Sequence, residues 1–175
     1  MVKKSTAKKK IKTKTKKTKK SKFIDKTIPK KEILKVLKGS TKFKMEITRV
    51  ILRFDRKFLS KFLTETAKDI EKGRIIQISE GSNVIVVLCE ESFAKEMKRK
   101  YKKHIIEMNN DLVAFTIMFP KVGTETHGIL SFITTILAEN KVNLFEVISA
   151  YTDITFVIKK EDLFKVMDLL GQFIV

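Results

Sequence analysis

Two stretches of the sequence decide the fold: QISEGSNVIVVLCEESFAKEM at residues 77–97 and VISAYTDITFVIKKEDLFKVM at residues 147–167. They align without a gap, from Gln77 on Val147 to Met97 on Met167, and six of the 21 aligned pairs are identical. The apolar positions of a strand and of the helix after it coincide in the two stretches. Two unrelated strand–helix segments could match by chance, but the order of the surrounding elements repeats as well, which favours an internal duplication.

The segments around these stretches extend the repeat to two whole units. The first copy begins with an apolar strand at residues 46–54 and closes with a short strand near residues 105–106. The second begins with a strand at residues 111–119 and closes with one at residues 173–175. Each copy therefore has the element order βαββαβ. We expect an α+β protein made of two ferredoxin-like units, each an antiparallel sheet with helices on one face.

The junction between the first strand and the first helix differs between the copies. The first strands align with Glu46 on Asp111. Between these strands and the two aligned stretches quoted above, the second copy has five more residues than the first. The additional residues fall within FPKVGTETHGIL at residues 119–130. The two glycines of this segment have the spacing of a phosphate-binding loop. That loop needs Lys and then Ser or Thr where Ile129 and Leu130 stand, which excludes it. A connector does not need the extra length, so we expect a ligand site here, although Thr124 or Thr126 could simply cap the helix.

The positive charge is concentrated at the start of the chain. Of the net charge of +18, residues 1–44 carry +17, with 19 lysines and two acids. We expect residues 1–26 to be a disordered Lys-rich tail, because they hold too few apolar side chains to offset the entropy of ordering. Residues 27–44 would form a short helix and a linker. A first unit at residues 45–110 and a second unit at residues 111–175 would follow.

Several classes of function lack the residues that they need. Cys89 is the single cysteine, and with only His104 and His127 the chain has no Cys/His cluster at metal-ligand spacing. His127 has no Ser, Cys or carboxylate placed by the sequence to form a catalytic dyad. We therefore expect no metal, no cofactor and no enzyme activity. The chain also lacks a secretory signal and the apolar run of a membrane span, so we expect a cytoplasmic protein.

The second unit resembles a known family. Residues 122–170 resemble an ACT domain of the type found in tandem at the end of aspartate kinases. The matching features are the loop that ends in Gly128, the Ala-Glu-Asn-x-x-Asn-Leu passage at residues 138–144, the Ile-Ser pair at the end of the next strand, and the acidic start of the last helix. The resemblance is good over residues 111–170 and weaker over residues 45–110. With no kinase region ahead of it, the chain resembles a free-standing tandem ACT protein.

The resemblance implies a regulatory protein that binds a small ligand, an amino acid, at an interface between two ACT units, with a homodimer as the expected assembly. The backbone N–H groups at a helix N-terminus suit an α-carboxylate, Asn143 suits a polar group, and Glu125 suits an ammonium. His127 stands where the family commonly has Pro. The implied ligand-binding residues are Gly123, Thr124, Glu125, Thr126, His127, Gly128, Ile129, Val142, Asn143 and Leu144.

The basic tail supports an alternative function. A flexible arm with 12 lysines between Lys3 and Lys22 would bind nucleic-acid phosphates without sequence preference. The ACT-like body would then serve as a dimerisation module. Solubility, a localisation signal and a lysine-biased genome are simpler explanations of the tail, and the last fits the whole chain, in which Lys outnumbers Arg 33 to 5. The predicted central strands lack the exposed aromatic pattern of RNA-recognition sheets, which argues against sequence-specific RNA binding.

Overall fold

The structure is a computed structural model that describes residues 30–38 and 42–174. The predicted tail therefore lies outside the described residues. The strands are β1 (Lys42–Asp55), β2 (Ile75–Glu80), β3 (Val84–Glu90), β4 (Ile105–Met118), β5 (Glu146–Ala150) and β6 (Asp153–Lys159). The helices are α1 (Lys30–Leu37), α2 (Leu59–Glu71), α3 (Glu91–Tyr101), α4 (Lys121–Glu125), α5 (Ile129–Glu139) and α6 (Leu163–Gly171). Short 3₁₀ turns at Arg56–Phe58, Lys102–His104 and Lys160–Asp162 join strands to helices.

The six strands form one antiparallel sheet in the order β2-β3-β1-β4-β6-β5. The predicted α+β class and the two βαββαβ-like units are therefore confirmed. Apolar side chains of α2 and α3 pack on the β1–β2–β3 side of the sheet, and those of α1, α5 and α6 pack on the β4–β6 side. Both cores lie on the same face of the sheet. Among the described residues, no helix covers the other face.

Two long strands run through both units. β1 and β4 each have 14 residues and pair along their length, from Lys42 opposite Met118 to Phe54 opposite Ile105. The boundary predicted between residues 110 and 111 falls inside β4, where Asp111 has a φ of 56°. The short strand predicted near residues 105–106 and the strand predicted at 111–119 are thus one continuous strand.

The start of β1 completes the sheet of the second unit. Residues 42–47 pair with the second half of β4, next to β6, and the ring of Phe43 stacks on that of Phe115 with centroids 5.6 Å apart. The sequence predicted a closing strand at residues 173–175 instead. That prediction was wrong for the described part, because Phe173 lies in a turn and Ile174 in no regular element. The start of β1, which precedes the second unit in the chain, takes that place in the sheet.

The helices bury most of the predicted apolar stripes. Phe93, Met97 and Tyr101 of α3 are buried, as is one residue in each turn of α5. For α2 the spacing of the sequence predicts one buried stripe, and this prediction is partly wrong because Leu63 and Ile70 remain about two-fifths exposed; the predicted stripe is Leu59, Phe62, Leu63, Thr66 and Ile70. α1 belongs to the core of the second unit, where three of its side chains are buried, namely Ile33, Val36 and Leu37.

Candidate functional site

A cleft of about 250 Å³ lies where β4 passes through α4 into α5. Its floor and walls come from three places: the end of β4, the segment between α4 and the first turn of α5, and the β5–β6 turn. The lining residues include no charged side chain. They are Phe119, Gly123, Thr124, Thr126, Gly128, Ile129, Leu130, Ser149, Tyr151 and Ile154.

The five residues gained by the second copy correspond in number to the five-residue helix α4. The segment predicted as a loop at residues 123–128 is therefore partly helical. Thr124 Oγ1 donates a hydrogen bond to the carbonyl of Lys121 at 2.7 Å, and Thr126 Oγ1 donates to that of Val122 at 2.9 Å. Both hydroxyls thus use their hydrogen within α4, and neither caps α5. Their lone pairs remain able to accept a hydrogen bond.

Gly123 allows α4 to sit directly on the end of β4. A Cβ atom at this position would lie 2.6 Å from Phe119 Cβ, closer than real Cβ contacts allow, and 3.4 Å from Val36 Cγ1 of α1. Glycine is therefore required for a close approach, and not for its backbone angles. The contact also links the cleft to the N-terminal helix α1.

Helix α5 begins at Gly128, which has a φ of 85° in the left-handed region. Glycine adopts this conformation without the steric cost that a side chain brings. Among the described residues, no side chain makes a capping hydrogen bond to this helix end. The first N–H groups of α5 and the positive end of its dipole therefore face the cleft region without a protein carboxylate, an arrangement that suits an anionic group.

The structure brings half of the predicted ligand residues together. Gly123, Thr124, Thr126, Gly128 and Ile129 all line the cleft. Two further predicted residues, Glu125 and His127, belong to the same segment but are exposed and do not line it.

The other three predicted residues lie elsewhere in the chain. Val142 to Leu144 follow the C-terminal end of α5, where Val142 N–H donates to the carbonyl of Leu137 at 2.9 Å. The cleft is at the N-terminal end of the same helix. An 11-residue helix is about 16 Å long, so the two groups cannot contact one small ligand within a single chain.

Sequence analysis missed half of the lining residues. Phe119 and Leu130 border the predicted segment, while Ser149, Tyr151 and Ile154 come from the β5–β6 hairpin. Tyr151 has a φ of 55° and is 75% exposed, so its ring lies at the solvent side of the cleft. The hairpin carried a usable signal, because a bulky aromatic residue in a tight turn rarely serves the turn itself.

The described residues contain no group of three or more His, Cys, Asp or Glu side chains that could hold a metal ion. Cys89 is fully buried in β3, and burial raises the pKa of its thiol to about 12. It is thus a core residue, and its thiol stays protonated near neutral pH. No helix in the described part of the chain is long and apolar enough to cross a membrane.

The cleft lies in a part of the chain that matches a known family model. Residues 107–172 match the family model of the ACT domain. This match includes the whole of α4, the cleft and the β5–β6 hairpin. A comparison with curated protein sequences finds no significant match.

Solved structures share the fold at low sequence identity. The aspartate kinase of Clostridium acetobutylicum superimposes with a TM-score of 0.58 and 16% identity over 78% of this chain and 35% of that one. The regulatory subunit of aspartate kinase from Thermus thermophilus gives a TM-score of 0.62 and 14% identity over 79% of this chain and 99% of that one. A protein of unknown function from Vibrio cholerae gives 0.58 and 18% over 82% and 96%.

These similarities show the fold. The chain spans about a third of the length of the Clostridium kinase, and its match to the Thermus protein is with a regulatory subunit. Residues 107–172 therefore match the ACT domain model, and the described part of the chain has a fold similar to that of the regulatory regions of aspartate kinases.

Proposed function

We propose that this protein is a non-enzymatic regulatory protein that binds a free amino acid through its C-terminal ACT domain. ACT domains bind small ligands such as amino acids and often dimerise. The observation that carries the proposal is the open N-terminus of α5 at Gly128, which lies beside a cleft lined by this chain's own extra segment. The regulated process would be amino-acid metabolism in the cytoplasm.

The cleft has the chemistry that an amino acid requires. The free N–H groups of the first turn of α5 would donate to the α-carboxylate. The hydroxyl oxygens of Thr124 and Thr126 already use their hydrogens within α4, so they would act as acceptors for the α-ammonium. Glu125 is exposed on the same segment and would add a negative charge at the rim.

Size and polarity restrict the side chain of the ligand. Drug-sized ligands occupy pockets of about 300 Å³ and more, so a cleft of about 250 Å³ fits a smaller molecule. Phe119, Ile129 and Ile154 form an apolar wall, and no charged side chain lines the cleft. We therefore propose a neutral amino acid of moderate size in preference to a charged one.

A homodimer would complete the site. Val142, Asn143 and Leu144 lie too far from the cleft to act within one chain, but a partner could bring its own copies to the ligand. β5 is an edge strand of the sheet, with one side of its backbone unpaired among the described residues, and edge strands readily pair with a second chain. Sedimentation of the protein with and without the bound amino acid would test this part of the proposal, since a monomer in both conditions would contradict it.

Thermal unfolding of the full chain against each of the twenty amino acids tests the proposal. A ligand at 100 times its dissociation constant adds about 2.7 kcal/mol to the free energy of unfolding. For a protein of this size the midpoint should then rise by roughly 5–10 °C. If none of the twenty raises the midpoint, the proposed function is wrong.

The internal repeat supplies a matched control for this experiment. Ser149 lines the cleft, and Ser79 is its equivalent in the gap-free alignment of the two units. Ser149→Ala should weaken the binding of the active amino acid, whereas Ser79→Ala should leave it unchanged. Equal effects of the two substitutions would place the ligand elsewhere.

A further inference from the structure

The helical layer of the first unit carries a second concentration of positive charge, separate from the tail. Residues 56–104 have a net charge of +5, whereas residues 105–174 have a net charge of −4. The excess is gathered at one end of α3, where five of the seven residues from Lys98 to His104 are Lys or Arg and none is acidic. We call the following set the basic corner: Lys57, Lys61, Lys98, Arg99, Lys100, Lys102, Lys103 and His104.

Ring contacts bring Lys57 and Lys61 to this end of α3. The rings of Phe58 and His104 stack with centroids 4.5 Å apart and planes 9° from parallel, so the 3₁₀ turn that contains Lys57 lies against the turn that contains His104. Lys61 and Lys100 both lie over the ring of Tyr101, with their Nζ atoms 5.6 and 4.8 Å from its centroid.

Most of these charges form no ion pair within the part of the chain that the structure describes. Glu65 accepts Lys100 at 2.8 Å and Lys61 at 3.8 Å. No ion pair to an acid of the described residues forms at the remaining five cations, which are Lys57, Lys98, Arg99, Lys102 and Lys103. Cations favour a helix C-terminus, but that effect fades within the last turn. The run continues into the next turn, where like charges repel and the fold gains nothing from them.

We propose that the basic corner binds single-stranded nucleic acid. Clustered unpaired cations attract a phosphate backbone. The ring of His104 covers the buried Phe58 with one face and is itself exposed, so its other face offers a flat surface on which an unpaired base can stack. Base-paired strands do not offer their bases in this way, which is why the proposal specifies a single strand.

An anionic membrane fits the corner less well. Membrane binding by a basic surface needs large apolar side chains beside the charges. Within two residues of the corner in the sequence, the exposed large apolar residues among those described are Leu63, 41% exposed, and Ile106, 60% exposed, which is few for insertion into a bilayer. The flat exposed ring of His104 is of use to a base and not to a lipid chain.

The corner lies far from the point at which the described chain begins. The corner adjoins the end of β1 at Phe54, whereas α1, which follows the tail, precedes the other end of β1 at Lys42. Fourteen residues of strand span on the order of 45 Å. The contribution of the corner can therefore be measured in the full chain, with the tail present in every variant.

The test is binding of a fluorescein-labelled oligouridylate of about 15 nucleotides, followed by anisotropy between roughly 50 and 200 mM KCl. In Lys102→Gln/Lys103→Gln, the slope of log affinity against log salt should fall by about 1.4, because each lost phosphate contact removes about 0.7 for a single strand. The ratio of the affinities at the two salt concentrations should therefore fall about sevenfold.

A matched control comes from the second unit. Lys159 and Lys160 are also adjacent, exposed and without a described ion pair. Lys159→Gln/Lys160→Gln should leave the slope unchanged. If the two double variants lose affinity equally, or if the full chain does not bind the oligonucleotide, the proposal is wrong.

Variants of His104 test the stacking. His104→Ala should weaken binding about fivefold or more with no change in the salt slope, while His104→Phe should keep the affinity of the natural protein. Thermal midpoints of both variants show whether the corner still folds. Equal affinity of the Ala and Phe variants, or equal affinity of the natural protein for a duplex of the same length, would overturn the single-strand assignment. Preferential loss of binding to phosphatidylserine vesicles would point to a membrane instead.

Discussion

The junction between the first strand and the first helix has a different structure in the two units of the repeat. In the first unit β1 runs straight into a 3₁₀ turn, and Asp55 Oδ1 accepts a hydrogen bond from Lys57 N–H at 2.9 Å. In the second unit α4 intervenes, and α5 begins at Gly128 with no described side-chain cap. The 3₁₀ turn that leads into α2 is thus capped by the protein's own carboxylate, whereas no carboxylate of the described residues caps the segment that leads into α5.

The comparison explains why the candidate cleft lies in the second unit. A helix N-terminus favours a negative group, and the Asp55 carboxylate supplies one at the 3₁₀ turn that leads into α2. Its counterpart in the alignment of the two first strands is Pro120, which has no carboxylate. The extra residues of α4 then move the chain away from the helix end and form one wall of the cleft.

The largest effect that we expect concerns how the two units open. Cys89 lies in the first unit, fully buried, and iodoacetamide reaches its thiol only when β3 opens. Because β1 and β4 run through both units, we expect the sheet to open as a whole. An amino acid bound in the cleft at 100 times its dissociation constant should then slow alkylation about 100-fold. An unchanged rate, measured against the urea-unfolded chain, would show that the units open separately.

Gly123→Ala should give the next largest effect. The new Cβ would lie 2.6 Å from Phe119 Cβ, so α4 must shift, and overpacking of this kind costs about 1–3 kcal/mol. Urea unfolding should show this loss, and the response to the amino acid should disappear.

Gly171 provides the control for this substitution. It ends α6, and a Cβ there would meet no atom within 4 Å. Gly171→Ala should leave the free energy of unfolding unchanged or raise it by a few tenths of a kcal/mol. If both alanine variants behave alike, the close contact at Gly123 is unimportant.

Two glycines with positive φ, one at the cleft and one outside it, allow effects on stability to be distinguished from effects on amino-acid binding. Gly128 has a φ of 85° at the cleft, and Gly73 has a φ of 70° after α2 in the first unit. Alanine at either position should lower the free energy of unfolding by about 1 kcal/mol, since a side chain disfavours this backbone conformation. Only Gly128→Ala should also weaken the amino-acid response in calorimetry. If both variants lose the amino-acid response, the loss would result from lower stability and not from a change at the cleft.

Asp55→Ala should give an effect of similar or smaller size, confined to the first unit. Removing the cap costs about 1 kcal/mol in the free energy of unfolding, and Asp55→Asn, which keeps an acceptor oxygen, should cost less. Neither change should alter amino-acid binding. Equal losses in the two variants would show that the oxygen acceptor does not cap the turn.

Much of the site could be located from the sequence because the duplication provides its own reference. The gain of five residues marked the segment around Gly123, and five of the predicted residues there line the cleft. The resemblance also grouped Val142, Asn143 and Leu144 with the cleft, although the length of α5 separates them from it within one chain. The hairpin residues Ser149, Tyr151 and Ile154 were missed because a hairpin distant in sequence reaches the cleft only after the sheet has formed.

The sequence by itself determined most of the element order, the repeat and the buried faces of most helices, because these follow from the spacing of apolar residues within short segments. Only the tertiary structure decided which strands pair. Residues 42–47 show the same local pattern whether they extend the first unit or complete the second, and Phe43 finds Phe115 only when β4 is present beside it. Strand pairing depends on contacts between segments that are distant in the sequence, so no pattern within one segment predicts it.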